Sequence, residues 1–276
     1  MDSVSNHDKH RNRFFLEKWF LDFVTDEGEA FIFYAAKMRW HHITVPYKSM
    51  LSLSSTTGKK HKARYYHVLF PEMRDRNISW KDSSFKMTGS WQANTIPVQA
   101  KLFESAEGGL QWNCLQPSSI VKAKINNREY NGLGYAEQLI LTVEPWKIPM
   151  DVLRWGRFVA KEDCLVWIEI KSGTDKQWVW YNGEKMDLAV ISDELIELPS
   201  KNIRLVLNNI RLIEAEKKIN QVIKKLLRFI PGFSRSVPAN FLMADEYKWV
   251  SMGSLYKNEL LKNEGWVIHE RVDFKK

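Results

Sequence analysis

The stretch Gly132-Leu133-Gly134-Tyr135-Ala136-Glu137-Gln138-Leu139-Ile140 decides how the rest of the chain is read. It opens like a dinucleotide-binding fingerprint, with two glycines two residues apart. No third glycine follows, and the residues after Gly134 look like a strand rather than a helix N-terminus. Read as a strand, the segment places Tyr135 and Glu137 two apart, on the same face. A Rossmann site is therefore rejected.

The strand texture continues outward on both sides. Residues 16–25 and 30–40 are rich in aromatic and branched side chains and flank the turn Asp26-Glu27-Gly28, a hairpin pattern. Segments 43–53, 65–70, 84–91, 96–104, 110–115 and 120–125 come next. They are broken by a polar loop at 54–60 and by Glu107-Gly108-Gly109, and Asn126-Asn127 closes the series. Strand 135–143 leads to a loop at 145–149. Segments 153–160, 165–171, 177–181, 188–191, 203–212, 248–252 and 266–274 complete the set, with Asn182-Gly183 as the strongest hairpin signal. Regular short strands with turn signals predict an all-β protein of barrel or sandwich type.

Residues 215–230 depart from this pattern. Ile219, Val222, Ile223, Leu226, Leu227 and Ile230 recur at helical spacing, Lys217, Lys218, Lys224, Lys225 and Arg228 group opposite them, and Pro231-Gly232 comes after. One C-terminal amphipathic helix is expected here. Its apolar face packs over a barrel or lies in a membrane interface, which makes the helix a candidate peripheral membrane contact.

The 276 residues are 44% hydrophobic and 27% charged, which excludes disorder and a disulfide scaffold. The 12 tryptophans need an explanation, and apolar pockets are built from such residues. The net charge of +8 is in part a local property of the helix. No Gly-x-Ser-x-Gly elbow, Walker A loop or nucleic-acid signature occurs, so no nucleic-acid partner is expected. Cys114 and Cys164 form no close metal motif, and the adjacent His41-His42 would point to opposite faces of a strand, so no metal is expected. The polar N-terminus lacks an apolar signal core, and no run of 18 apolar residues exists. With few cysteines, these features lead to an expectation of a cytoplasmic protein, the helix offering a membrane contact.

The central strand gains meaning from its C-terminal neighbours, Pro145-Trp146 and then Leu153-Arg154-Trp155-Gly156-Arg157-Phe158. A Gly-x-Gly-Tyr-x-acid strand, a loop and a Trp-Gly turn together resemble the carotenoid 1,2-hydratase (hydroxyneurosporene synthase) and AttH-like group. Trp19-Phe20-Leu21-Asp22-Phe23-Val24 looks like the aromatic opening strand of that group, and Gly265-Trp266-Val267-Ile268-His269-Glu270-Arg271-Val272 is similar to its last strand. The resemblance implies two lipocalin-like antiparallel β-barrel or sandwich domains and a long or polycyclic apolar substrate. The expected boundary gives domains at 1–127 and 128–276, with the pocket in or between the barrels. There are two departures. The hydratases carry an aspartate where this chain has Glu137, and their upstream His-x-Trp element is matched by Leu110-Gln111-Trp112, which lacks the histidine. Water addition itself therefore does not carry over directly.

The residues suggest a chemistry beside the resemblance. On the inner face of a barrel, Tyr135 and Glu137 would put a phenol and a carboxyl group in one apolar cavity, where a neutral carboxyl acts as a general acid. They are the candidate catalytic pair. Trp112 and Trp155 are candidate walls whose ring faces stabilise a developing cation. Arg157, two residues after Trp155, is a candidate partner for Glu137 that would oppose the acid role, and Asp22 is a further candidate pocket acid. The bland alternative is an aromatic core residue beside a salt-bridged or exposed glutamate. The leading expectation is a cofactor-independent enzyme that hydrates, isomerises or cyclises a polyene, terpenoid or polyketide-derived molecule. The alternative is a non-catalytic carrier of a lipid or pigment-like ligand.

Overall fold

Strand β1 (Phe14–Val24) sets the architecture because both of its faces are buried. Trp19, Leu21 and Phe23 point one way and Phe20, Asp22 and Val24 the other, and all six are buried. A strand buried on both faces needs packed layers on both sides. The computed structural model, which describes residues 14–218 and 237–274, supplies them as two curled antiparallel sheets in the lipocalin-like manner.

The first sheet contains β1, β2 (Ala30–Trp40), β3 (Ile43–Ser54), β4 (Gly58–Arg64), β5 (Glu72–Arg74), β6 (Asn77–Asp82), β7 (Met87–Ala93), β8 (Val98–Ser105), β9 (Gly108–Ile125) and β10 (Arg128–Leu141). Its order is β4-β3-β2-β1-β10-β9-β7-β6-β5, with β8 also on β9. The second sheet contains β11 (Val152–Val159), β12 (Cys164–Lys171), β13 (Lys176–Tyr181), β14 (Glu184–Met186), β15 (Val190–Ile191), β16 (Leu195–Leu198), β17 (Ile203–Lys218), β18 (Asp245–Lys257) and β19 (Leu260–Asp273). Its order is β14-β13-β12-β11-β19-β18-β17-β16-β15. Each sheet seats its first strand beside its last, β1 against β10 and β11 against β19. A single turn of helix, α1 (Ala239–Leu242), precedes β18.

Three apolar cores result. One lies inside the first sheet and includes Leu21, Phe23, Phe33, Trp80 and Trp91. Another lies inside the second and includes Phe158, Leu165, Trp167 and Leu205. The third joins residues of both sheets: Phe20, Trp112 and Tyr135 from the first pack with Trp155, Ile168, Trp180 and Ile268 from the second. This third core is the seam of the molecule.

Several expectations change. Asn126 and Asn127 do not divide the chain. Their φ values of 49° and 68° form the tight turn of the β9–β10 hairpin, within the first sheet. The chain passes to the second sheet between Leu141 and Val152, through a 3-10 turn at Pro145–Lys147. An Asn-Asn pair reads the same in sequence as a linker or as a hairpin turn, because asparagine tolerates left-handed backbone in both. The expected helix does not begin at 215. Residues 215–218 finish β17, with Lys217 and Lys218 in register with Glu246 and Asp245, while 219–230 lie outside the described residues. Segments 110–115 and 120–125 are one strand, β9, and 65–70 is irregular. No helix among the described residues is long and apolar enough to cross a membrane.

Candidate active site

The site is built on β10, which lies between β1 and β9 at the centre of the first sheet. Gly134 lets it lie there: a Cβ at this position would stand 2.3 Å from the Asp22 carbonyl oxygen and 2.5 Å from a Val121 methyl. The register on β9 slips on both sides of Ala136, so β9 bulges where Gln116 to Ser119 pass it. Ala136 faces the interior of the first sheet, and Tyr135 and Glu137 face the seam. The expected inner-barrel location is therefore corrected. The pair sits on the outward face of its own sheet, yet is buried because the second sheet covers it. Tyr135 is 0% exposed and Glu137 4%.

Three donors converge on one carboxylate oxygen. The Trp112 indole N–H donates to Glu137 Oε2 at 2.5 Å, the Tyr135 hydroxyl at 2.7 Å and the Trp155 indole N–H at 3.2 Å. Trp112 comes from β9, Tyr135 from β10 and Trp155 from β11, so both sheets hold the acid. Among the described residues Oε1 receives no hydrogen bond. Bonds to a charged acceptor contribute about 1.5–3 kcal/mol each, so three of them offset much of the cost of burying the carboxylate. The Cys114 thiol lies beside the Tyr135 hydroxyl, and burial pushes both groups well above their ordinary pKa values. Tyr135 therefore stays protonated and remains a donor.

The rings around this oxygen enclose it. Phe20 meets Trp155 edge-on at 5.0 Å and Tyr135 at 6.1 Å, while Tyr135 and Trp155 meet at 5.5 Å. Trp180 lies 5.0 Å from Trp112. At one edge of the seam a cleft of about 450 Å³ is lined by Leu102, Phe103, Ile148, Pro149, Ile170 and Lys176, among others. Leu102 and Ile148 belong to the same apolar cluster as Trp112 and Trp155.

Asp22 and Arg157 lie in the same seam, both 0% exposed. Arg157 does not pair with Glu137. It grips Asp22 with two nitrogens, Nε to Oδ2 at 3.2 Å and Nη2 to Oδ1, and donates through Nη1 to the Trp266 carbonyl at 2.8 Å. Burial pushes the Asp22 carboxyl up to about 6, against the pull of Arg157, and the nearby Glu137 adds to the rise. All six residues singled out in the sequence thus share one seam. Three donors, Trp112, Tyr135 and Trp155, meet on Glu137, and the remaining two, Asp22 and Arg157, form a separate pair.

The sequence reading missed Phe20, Tyr34, Trp180 and Lys248, which border the same space. Tyr34 and Lys248 come from segments read only as strands, and only the strand register and the packing of the two sheets set them on the same seam face as Glu137. Among the described residues no three His, Cys, Asp or Glu side chains gather as a metal site.

No family model and no curated protein sequence matches the chain. Solved structures do match its fold. A candidate AttH protein from Nitrosomonas europaea superposes with a TM-score of 0.51 at 8% identity, covering 98% of this chain and 97% of that one. CghA does so with 0.57 at 9% identity, over 95% and 88% of the two chains. Kievitone hydratase from Nectria haematococca gives 0.51 at 9% identity, over 95% and 89%. At such identities the likeness shows the fold alone, two lipocalin-like units in one chain.

Proposed function

We propose that this chain is an enzyme that transfers a proton to or from a large apolar small molecule held in the seam between its two sheets, with Glu137 as the acid–base group. The single observation that carries this reading is the convergence of Trp112, Tyr135 and Trp155 on Glu137 Oε2. Three neutral donors fix one oxygen of a buried carboxyl that forms no ion pair among the described residues, and Oε1 is left to exchange a proton with a ligand. A purely structural buried glutamate is normally matched by a positive charge. Here Arg157, which shares the seam, is committed to Asp22.

The surrounding chemistry favours an apolar substrate. Phe20, Trp112, Trp155 and Trp180 present ring faces and edges, and a carbocation or polarised alkene developing beside them is stabilised by the ring quadrupoles. The cleft lined by Leu102, Phe103, Ile148 and Pro149 is the proposed way in. Proton transfer of this kind serves hydration, double-bond isomerisation and cyclisation alike. The family resemblance of the central strand and the fold shared with kievitone hydratase support that class of reaction. Asp22 and Arg157 keep Glu137 free of a cation and tie β1 to β11.

The test is native mass spectrometry of the purified full chain, followed by conversion of any co-purified apolar molecule by wild type and by Glu137→Gln. The reading predicts that the wild type changes the molecule chemically and that Glu137→Gln slows this by about 10²–10⁴-fold. Release of the molecule unaltered by the wild type would make the protein a carrier and overturn the enzymatic reading.

A further inference from the structure

The seam face that carries Glu137 continues beyond it. Strand register sets Cys114, Glu137, Phe20, Tyr34 and Ser49 in one row across β9, β10, β1, β2 and β3. The facing row of the second sheet runs Trp178, Ile168, Trp155, Glu270 and Lys248 across β13, β12, β11, β19 and β18. The rows touch where Trp155 meets Glu137 and Phe20, and where Lys248 meets Tyr34. Tyr34 therefore stands two strands from Glu137, roughly 10 Å along the sheet, with Phe20 between them.

The chemistry at the Tyr34 end differs from that at Glu137. The Lys248 ammonium, 1% exposed, donates to the Tyr34 oxygen at 2.5 Å, to Glu270 at 2.7 Å and to Glu246 at 3.2 Å. Its three N–H bonds are thereby used. Burial pulls Lys248 down, but Glu270, Tyr34 and Glu246 outweigh it and hold the ammonium well above its ordinary value. Tyr34 accepts from Lys248 and so keeps its own proton to give. Burial holds that phenol above its usual range despite Lys248. Among the described residues no acceptor for the Tyr34 proton is present. Next in the row, the buried Ser49 Oγ has no hydrogen-bond partner within bonding distance and angle among the described residues, and the Tyr47 hydroxyl is its neighbour. A buried polar group with unmet capacity costs about 1–3 kcal/mol, so two such groups side by side call for a partner.

We propose that Tyr34, polarised by Lys248 and flanked by Ser49, is a second polar pole of the seam, which receives the carbonyl oxygen of an apolar ligand whose body lies against Phe20 and Trp155. This inference rests on the reading of the seam as a ligand site and names the ligand class: a large apolar ketone, enone or related neutral carbonyl compound. A carboxylate does not fit as well. The Lys248 ammonium is already shared by two carboxylates, Glu246 and Glu270, and the Lys18 ammonium lies over the Tyr34 ring, 5.8 Å from its centroid. Lys248 is a positioning residue, acting through the Tyr34 oxygen, and Tyr34 and Ser49 are the groups that touch the ligand.

The test compares two probes of one skeleton, trans-chalcone, which carries a carbonyl, and trans-1,3-diphenylpropene, which lacks it. Affinities for the full chain are read by tryptophan fluorescence, and the hydrogen bond by the infrared stretch of chalcone labelled with ¹³C at the carbonyl. The wild type is expected to bind chalcone about tenfold tighter than diphenylpropene and to lower its carbonyl frequency. Tyr34→Phe should abolish both the preference and the shift while leaving diphenylpropene binding within about twofold, and Ser49→Ala should weaken the preference less. Lys248→Met would leave Glu246 and Glu270 without their cation in the seam, so Tyr34→Phe and Ser49→Ala are the deciding variants. Equal binding of the two probes, or an unchanged carbonyl frequency in Tyr34→Phe, would overturn the proposal and leave the role of Glu137 standing. Failure of the wild type to bind either probe, or binding that Trp155→Ala does not weaken, would overturn the seam as a ligand site and this proposal with it.

Discussion

Asp82 and Asp22 are both buried aspartates paired with a cation, one inside the first sheet and the other in the seam. Lys48 meets Asp82 at 2.6 Å, and the Ser84 hydroxyl at 2.6 Å and the Phe85 amide at 3.1 Å bond its other oxygen. Burial works against that carboxylate, yet these partners hold Asp82 below its ordinary pKa. Asp22 is gripped by Arg157, lies within reach of a second carboxylate at Glu137, and is pushed up to about 6. Of two chemically similar pairs, the interior one holds its carboxylate below the ordinary range with three partners, and the seam one holds its carboxyl against burial. The contrast separates the two pairs: the interior carboxylate is bonded at both oxygens within its core, while the seam holds charge and hydrogen-bonding capacity at an energetic cost. Such a cost is the usual mark of a working site.

The largest effect that tests this contrast belongs to Asp82. Replacing it with Asn strands Lys48 in the first core and should cost about 3–5 kcal/mol in urea unfolding at neutral pH. A loss under about 1 kcal/mol would mean that the interior pair is no better satisfied than the one in the seam.

The next effect is a pH dependence. The folded-state pKa of Asp22, about 6, lies above the ordinary 3.8, so between these values the folded protein binds the proton that the unfolded chain has released. This group therefore contributes stability below about pH 4 that is lost as pH rises through about 6. Asp22→Asn lacks that loss. Relative to the wild type it should gain up to about 3 kcal/mol as the pH rises across the window, set against a pH-independent loss from leaving Arg157 buried without its carboxylate. A variant whose difference from the wild type stays constant between about pH 4 and pH 7 would show that the seam does not hold the Asp22 carboxyl against burial.

A smaller effect is expected at Trp112. Trp112→Phe keeps the ring against Trp180 but removes the shortest donor to Glu137, so stability should fall by about 1–3 kcal/mol. Catalytic turnover should fall with it, because Oε2 is less well fixed. Equal turnover in this variant would show that the donor is not part of the proton-transfer machinery.

Much of this was legible in the chain, in uneven measure. The strands of two hairpins arise from aromatic and branched runs closed by Asp26-Glu27-Gly28 and Asn182-Gly183, where local turn chemistry and tertiary pairing agree. Two-residue spacing was enough to place Tyr135 and Glu137 together. The distinction between the inside of a curled sheet and its outside was not legible. β1 and β10 are apolar on both faces, so their alternation cannot say which face the second sheet covers. The partner of Arg157 was hidden for the same reason: Asp22 lies 135 residues away and reaches it only across the seam. Tyr34 and Lys248 form no local motif at all, being 214 residues apart, and only the packing of the two sheets brings them to one bond. The hairpin at Asn126 and Asn127 shows the converse, a local signal read correctly as a break and wrongly as a boundary, because the register that binds β10 to β1 is long-range.

The central claim is that Glu137 is kept in the seam for chemistry and not for stability. Urea unfolding and conversion of the co-purified apolar ligand, measured side by side for the wild type and Glu137→Gln, test it most directly. The Gln oxygen still accepts the bonds from Trp112, Tyr135 and Trp155, so unfolding free energy should change by less than about 1 kcal/mol while conversion falls by at least about 10²-fold. A variant that unfolds several kcal/mol more readily yet converts the ligand at the wild-type rate would contradict the account and make Glu137 a structural residue of the seam.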